Sequence, residues 1–429
     1  MPVNWGSNSG RQDLSKAWCI IAAALAILPV SLPVSADAAD PVKIGAILPL
    51  TGNSASAGQS AKDAIELGAE IVNTAHPELK ALPLAASVGL PNLGGSKIEL
   101  DEADHQGNPQ VGQQQTIRLI TQDHVAAMLG SYHSSVSLVA TAVAERQGVP
   151  FLVADSVAAN ITTRGFKFTF RTTPIAPDFG NAYAEFINDV KKSGRKIDSI
   201  AVVNENTDYG TSVSASILDA AKAANINVSA HITYNANSSD VTPQVLQLKS
   251  AAPDAVIFIS YTADSILYFK TMKNLDYLPP IIIGDDAGFS DPSFILDAGD
   301  LAQGALDRSA FDVGKPGTNS YLVNKLFHDK YSRDLDDTGA RWMQGFFVLA
   351  DAINRAGSTE PEKVREALTE TELKADQLMI GYRGVKFDNT GQNTLASTFL
   401  IQLKGKKYVS VWPDNLATGK LELPVKGWR

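Results

Sequence analysis

The stretch VKIGAILPLTGNSASAGQSAKDAIELGAEIVN, residues 42–73, decides the fold. Its first nine residues are apolar and β-prone, and a turn of Gly, Asn and Ser breaks the run. From Ser60 the apolar residues recur at helical spacing. A strand feeding a helix through a short polar turn is half of a βαβ unit, and the same rhythm repeats downstream. KIELDEAD (97–104) precedes GQQQTIRLITQ (112–122), HVAAMLG (124–130) precedes SLVATAVAERQ (137–147), and PFLVADS (150–156) closes the series. Alternation of this kind implies a parallel sheet with crossover helices.

After FRTTPIAPD (170–178) the rhythm starts afresh. FGNAYAEFINDVKKSG is followed by SIAVVNE, SVSASILDAAKAA, INVSAHITY, VTPQVLQLKSA, DAVIFIS, ADSILYFKTMKNL and PPIIIGDD, which ends at residue 286. This is a second doubly wound unit. From about residue 310 come the helical stretches NSYLVNKLFHDKYS, RWMQGFFVLADAINRAG and EKVREALTET. The late strands YRGVKFD and STFLIQLKGKKYVSVW follow, and these tail elements are expected to complete both lobes. The expected division is lobe 1 at 40–173 and 310–395, and lobe 2 at 174–309 and 396–429. One irregular insertion, HPELKALPLAASVGLPNLGG (76–95), shows no clear period and reads as a surface loop rather than a partner-binding flap.

The first 38 residues read as a secretory signal peptide. Arg11 and Lys16 precede the apolar run AWCIIAAALAILPVSLPV, and SADAAD offers small residues for cleavage after Ala36 or Ala38. Pro29 and Pro33 interrupt the run, which disfavours a membrane anchor. Cys19, the only cysteine, begins that run instead of ending it, so no lipid anchor is expected. The exported chain has no cysteine for disulfides, and a Gram-negative periplasm fits it best. The full sequence has 37 basic and 46 acidic residues, a formal charge of −9, which makes nucleic acid an unfavourable partner.

In a doubly wound sheet, ligands sit beyond the carboxyl ends of the strands. Those ends read TGNSASAG, DHQGNP, SYHSS, ADSVA, NENTDYG, SYTAD and GDDAG. Hydroxyls, tyrosines and carboxylates gather there. The six histidines show no ligand spacing on a helix and none neighbours a cysteine, so no metal is expected. GSYHSS lacks the nucleophile-elbow glycines, GNSASAG lacks the dinucleotide fingerprint, and no Walker lysine follows a glycine loop, so no cofactor is expected. Ligand capture remains. Hydroxyls and N–H groups at a helix N-terminus stabilise a carboxylate, which places Ser134 and Ser135 as a cradle, with simple helix capping as the bland alternative.

Taken together, the stretch 42–73, DHQGNP, SYHSS, GVPFLVADSVAANITTRGFKFTFRTTP, NTDYG and YRGVKFDNTGQN resemble, in order and over nearly the whole exported chain, the periplasmic leucine-isoleucine-valine-binding protein family. The resemblance implies a type I periplasmic binding fold: two doubly wound α/β lobes joined by a three-crossover hinge that closes on a solute like a Venus flytrap. It implies a monomeric, non-enzymatic receptor that captures an amino acid, branched-chain or related, and hands it to an ABC permease in the inner membrane. By position, Ser134 matches the serine that holds the ligand carboxylate. Ser156 and Val157 match an Ala-Thr pair of the head-group site, where valine lacks the hydroxyl. Tyr209 and Tyr261 match second-lobe contacts, and Asp286 matches the carboxylate that pairs with the ligand amine, with Asp285 beside it. Ala57 stands where some relatives carry an aromatic residue. Two alternatives stay open: the same fold serving a short amide or aromatic carboxylate, and a secreted hydrolase using Ser134 or Ser135.

Overall fold

The computed structural model describes residues 1–2, 40–286 and 288–428; the expected signal segment lies outside the described residues apart from its first two. The first unit runs β1 (Val42–Leu48), α1 (Ala55–Asn73), β2 (Ile98–Asp104), α2 (Pro109–Thr121), β3 (Ala127–Gly130), α3 (Ser134–Gln147), β4 (Phe151–Val153) and β5 (Thr169–Arg171). Its sheet has the order β2-β1-β3-β4-β5 with every pairing parallel. The order reverses at β1, so chain segments leaving β1 and β3 diverge and open a crevice at their carboxyl ends.

The second unit runs α4 (Ala176–Lys192), β6 (Ile200–Glu205), α5 (Asp208–Ala223), β7 (Val228–Tyr234), α6 (Thr242–Ala251), β8 (Ala255–Ile259), α7 (Thr262–Asn274), β9 (Ile281–Gly284), α8 (Pro292–Ala298) and β10 (Leu306–Ser309). The chain then forms α9 (Asn319–Tyr331), α10 (Asp337–Ala356), α11 (Pro361–Thr369), a small ladder of β11 (Glu372–Lys374) with β12 (Gly384–Lys386), and the hairpin β13 (Phe399–Lys404) and β14 (Lys407–Trp412). That hairpin joins the second sheet antiparallel, giving the order β14-β13-β10-β9-β8-β6-β7. The chain therefore passes between the sheets three times: after Arg171, after Ser309 and before Phe399.

Two features of packing position the site. Helix α10 packs on α1 and also meets β3 and β4. It is buried on nearly every side, from Trp342 through Ile353, and so carries Arg341 into the interior. In each lobe a glycine near the start of a helix lets the helix end close on its strand. A Cβ at Gly58 would lie 2.0 Å from the Pro49 carbonyl oxygen, and one at Gly210 would lie 2.1 Å from that of Glu205. Any side chain there would push the helix N-terminus away from the strand end that it must meet.

The insertion at 76–95 lies at the surface, as expected, but it is anchored from beneath. Leu79, Leu82 and Ala85 are buried, and successive turns are closed by Leu79 N–H to His76 C=O at 2.9 Å, Leu82 N–H to Leu79 C=O at 2.8 Å and Ala85 N–H to Leu82 C=O at 3.4 Å. The apolar residues recur every third position, the period of a 3₁₀ turn, and a search for helical or strand periods passes over it. Asn92 N–H donates to Asn354 Oδ1 at 2.9 Å, which ties the insertion to α10.

Candidate ligand-binding site

The strand ends of the two sheets face each other across one interface. From lobe 1 come the turn after β3, residues 131–135, and the turn after β4, residues 155–158. From lobe 2 come Tyr209 on α5, Tyr261 after β8, and Asp285 and Asp286 after β9. Ring centroids of Tyr132 and Tyr261 lie 5.8 Å apart, His133 and Tyr261 4.7 Å, and Tyr261 and Tyr209 5.2 Å. Asn53 Nδ2 donates to Asn237 Oδ1 at 2.6 Å, and Ala159 N–H donates to Ser212 Oγ at 3.1 Å, so the lobes also meet at the rim. The interface is closed.

The lobe 1 floor is a chain of hydroxyls. Ser156 Oγ donates to the Tyr132 carbonyl at 2.9 Å and lies 2.7 Å from Ser137 Oγ, which in turn lies 2.9 Å from Ser131 Oγ. Ser134 is the first residue of α3 and its Oγ accepts from Ala158 N–H at 3.3 Å, tying the β3 turn to the β4 turn. Ser135 is half-buried, and Val157 is buried with its carbonyl accepting from Ala176 N–H at 3.1 Å. Ser134 and Ser156 thus hold the turns together as well as lining the floor. Ala57 is buried within α1.

The two helix ends that meet here are finished differently. In α3 the first intrahelical bonds run from Val136 and Ser137 N–H to the His133 carbonyl, and His133, the capping residue, makes no side-chain cap. In α5 the end is filled by the chain itself: Glu205 accepts from Gly210 N–H at 2.6 Å and from Thr207 N–H. Helix N-termini attract negative charge, so one end holds a carboxylate of its own and the other offers a place for one.

Charge concentrates on the lobe 2 side. Asp286, in the left-handed region at φ 60°, accepts at Oδ2 from Arg308 Nη2 at 2.9 Å and from Arg341 Nη2, while its Oδ1 is buried with no hydrogen-bond partner among the described residues. Burial alone would raise this carboxyl, but the Arg341 and Arg308 guanidiniums outweigh it and hold the group below the usual range. Arg341 also pairs with Asp155 Oδ1 at 2.8 Å and Asp337 Oδ2 at 3.0 Å; Arg308 pairs with Asp285 Oδ1 at 3.0 Å. Five buried carboxylates, Asp155, Asp285, Asp286, Asp307 and Asp337, therefore share two guanidiniums. The shortage of positive charge is felt: burial pushes Asp155 up to about 7 against the pull of Arg341, and burial raises Asp307 and Asp337 as well. The two tyrosines read from the sequence are placed by this cluster: Tyr209 Oη donates to Asp285 Oδ2 at 2.9 Å, and Tyr261 stacks between Tyr209 and the lobe 1 turn.

The geometry bears on the sequence readings in two ways. Arg308 and Arg341 already supply charge to Asp286 Oδ2, so the pairing with a ligand amine that the resemblance implies falls to Oδ1, which has no hydrogen-bond partner among the described residues. The hydrolase alternative finds no assembled pair: among the described residues neither Ser134 nor Ser135 hydrogen-bonds to an imidazole, and His133 Nε2 faces Ser54 Oγ at 3.3 Å instead. The sequence reading did not single out Tyr132, His133, Asp155, Arg308 or Arg341. His105 and His133 meet edge to face at 5.3 Å although 28 positions separate them, a contact that no local spacing announces. Tyr132 at φ 96° is a non-glycine residue in a strained conformation at the centre of the interface.

Two parallel-sheet lobes closing strand end against strand end, over a polar floor and a charged ceiling, define a receptor for a small solute. Residues 41–407 match the sequence model of a family described as periplasmic binding protein, and the chain belongs to that family. It is similar to Leu/Ile/Val-binding protein homolog 7 of Brucella abortus, 30% identical over 419 residues that cover 94% of this chain and 99% of the relative. Its fold matches that of the leucine-binding protein LivK from Thermotoga maritima, with a TM-score of 0.73 at 23% identity, covering 87% of this chain and 100% of that one. It equally matches the branched-chain amino acid transporter substrate-binding protein LivJ from Streptococcus pneumoniae in complex with isoleucine, with a TM-score of 0.73 at 18% identity and the same coverage. The protein is a binding protein and not an enzyme. No helix among the described residues is long and apolar enough to cross a membrane.

Proposed function

We propose that this protein is the periplasmic substrate-binding component of an ABC importer, that it captures an amino acid, branched-chain or related, between its lobes, and that the closed form delivers it to an inner-membrane permease. The observation that carries the reading is the contrast between the two facing helix ends. The α5 end is occupied by Glu205, whereas the α3 end, with Ser134 and Ser135 in its first turn, has no carboxylate of its own and suits the carboxylate of a ligand. The ligand ammonium faces the opposite wall, where Asp286 Oδ1 has no hydrogen-bond partner among the described residues and Asp285 lies beside it. Tyr209 and Tyr261 close over the ligand, while Ser156 and the Val157 backbone complete the floor.

Closure follows from differential affinity: a solute that satisfies both walls stabilises the closed form, and one that satisfies the floor alone does not. The test is Asp286→Asn, which keeps the shape and removes the charge. Isothermal titration of the refolded variant is expected to show at least tenfold weaker binding of an amino acid, about 1.4 kcal/mol. Unchanged affinity would remove Asp286 from the site. A protein that binds aromatic carboxylates or short amides in preference to amino acids would keep the receptor fold and replace the ligand.

A further inference from the structure

His133 sits in the closed interface in an unusual state. Its ring lies 4.7 Å from Tyr261 of the opposite lobe, 5.1 Å from Tyr132 and 5.3 Å from His105. It is 8% exposed, and burial, with His105 adding to it, holds its pKa well below the ordinary histidine value, so the ring is neutral. Nε2 has Ser54 Oγ at 3.3 Å, whereas Nδ1 is buried with no hydrogen-bond partner among the described residues. His105 is not in the same state: its Nδ1 accepts from Gly107 N–H at 3.0 Å and its Nε2 faces the Ser131 carbonyl at 3.3 Å. Of the two packed imidazoles, one is satisfied and the other has a nitrogen to spare.

A buried polar atom left without a partner is destabilising. A site carrying one discriminates against ligands that cannot supply the missing bond. The charge around the interface narrows the choice further, because Arg308 and Arg341 are already paired with Asp285 and Asp286 and so are not free to receive an anionic side chain. A branched aliphatic side chain leaves Nδ1 unpaired. A hydroxyl or a carboxamide pairs with either tautomer of the ring, since each can both donate and accept.

We infer that His133 is a specificity-determining residue whose free nitrogen receives an uncharged polar side chain, so that among amino acids the site selects a hydroxyl or carboxamide over its aliphatic isostere. The inference rests on the reading of an amino acid held between the lobes. It assigns to the lobe 1 turn a selective role that its hydroxyls, already bonded to one another, do not have.

The experiment is isothermal titration of the refolded protein against matched pairs, threonine with valine and asparagine with leucine, together with glutamate and lysine. The expected result is at least tenfold tighter binding of the polar member of a pair. In His133→Phe that preference collapses to within about twofold, and His133→Asn, which restores a donor and an acceptor, recovers it. Melting temperatures of the variants separate lost selectivity from lost folding, and the wild-type ratio stands without any variant. Valine binding as tightly as threonine, or glutamate or lysine binding tightest, overturns the inference while leaving an amino acid receptor intact. Binding of none of the panel overturns both readings together.

Discussion

Helices α3 and α5 both begin at the interface between the lobes, α3 at the carboxyl end of β3 and α5 at that of β6, yet their ends are built differently. Glu205 folds back on the start of α5 and gives that helix a permanent negative partner. The start of α3 has only hydroxyls around it, and those bond to one another and to neighbouring backbone. The same dipole meets a carboxylate of the chain in one lobe and, in the proposed function, the carboxylate of a ligand in the other. A second contrast runs the same way. The lobe 1 floor is a set of hydroxyls bonded to one another with Asp155 at its side, whereas the lobe 2 wall carries Asp285 and Asp286 and depends for part of its compensation on Arg341, a residue of a helix packed on lobe 1. Contact between the lobes therefore completes a charge network.

The largest expected effect comes from breaking that network. Arg341→Met strands Asp155, Asp286 and Asp337 in the interior, and removing one partner of a buried ion pair typically costs about 3–5 kcal/mol. Denaturant unfolding should record a loss of that order; a loss below about 1 kcal/mol would mean that the cluster is solvated. Next comes the pair that tests the two helix ends directly. Glu205→Ala is expected to lower stability by about 1–3 kcal/mol, as an emptied buried hydrogen-bond site does, with ligand affinity changed less than threefold. Ser134→Ala is expected to weaken binding about tenfold, and because it also strands the buried Ala158 N–H it should cost about 1–3 kcal/mol of stability. Equal effects of the two substitutions on binding would erase the distinction between the ends.

The smallest effect is a pH dependence. Burial raises Asp155 to about 7 in the folded protein. Between the ordinary Asp range near 4 and that value, the unfolded chain has released this proton and the folded protein still holds it, so this group makes stability fall as pH rises. Asp155→Asn removes the proton from the balance. Relative to wild type, the variant should therefore gain stability on going from pH 5 to pH 8, measured as the difference between their melting temperatures. A difference that stays constant over that range would place the ionisation of Asp155 outside it.

The alternating strands and helices were legible because each carries its own period: residues 42–73 and PPIIIGDD announce themselves without help from the rest of the chain. Strand β10, LDRS, was not, because Asp307 and Arg308 are buried by an ion-pair network that only the assembled lobe provides. The anchoring of the insertion was not legible, because its buried positions Leu79, Leu82 and Ala85 follow a period of three. In the site, the strand-end turns pointed to Ser134, Ser156, Tyr209, Tyr261 and Asp286 as residues meeting at one interface. The partners that give those residues their properties lie far off in sequence: Arg341 is 55 positions from Asp286, and His105 is 26 from the Ser131 carbonyl that it faces. Local pattern places residues at strand ends; it says nothing of which charges will be paired there.

The central claim is that a ligand is held at both ends, its carboxylate by the open helix end of lobe 1 and its amine by the carboxylate-rich wall of lobe 2. The most direct test is isothermal titration of the refolded protein with an amino acid that it binds and with the matching acid that lacks only the amine. The account predicts one-to-one binding of the amino acid and at least a hundredfold weaker binding of the acid, about 2.7 kcal/mol. Equal binding of the two would contradict it, leaving the carboxylate cradle in place and the acidic wall with no part in recognition.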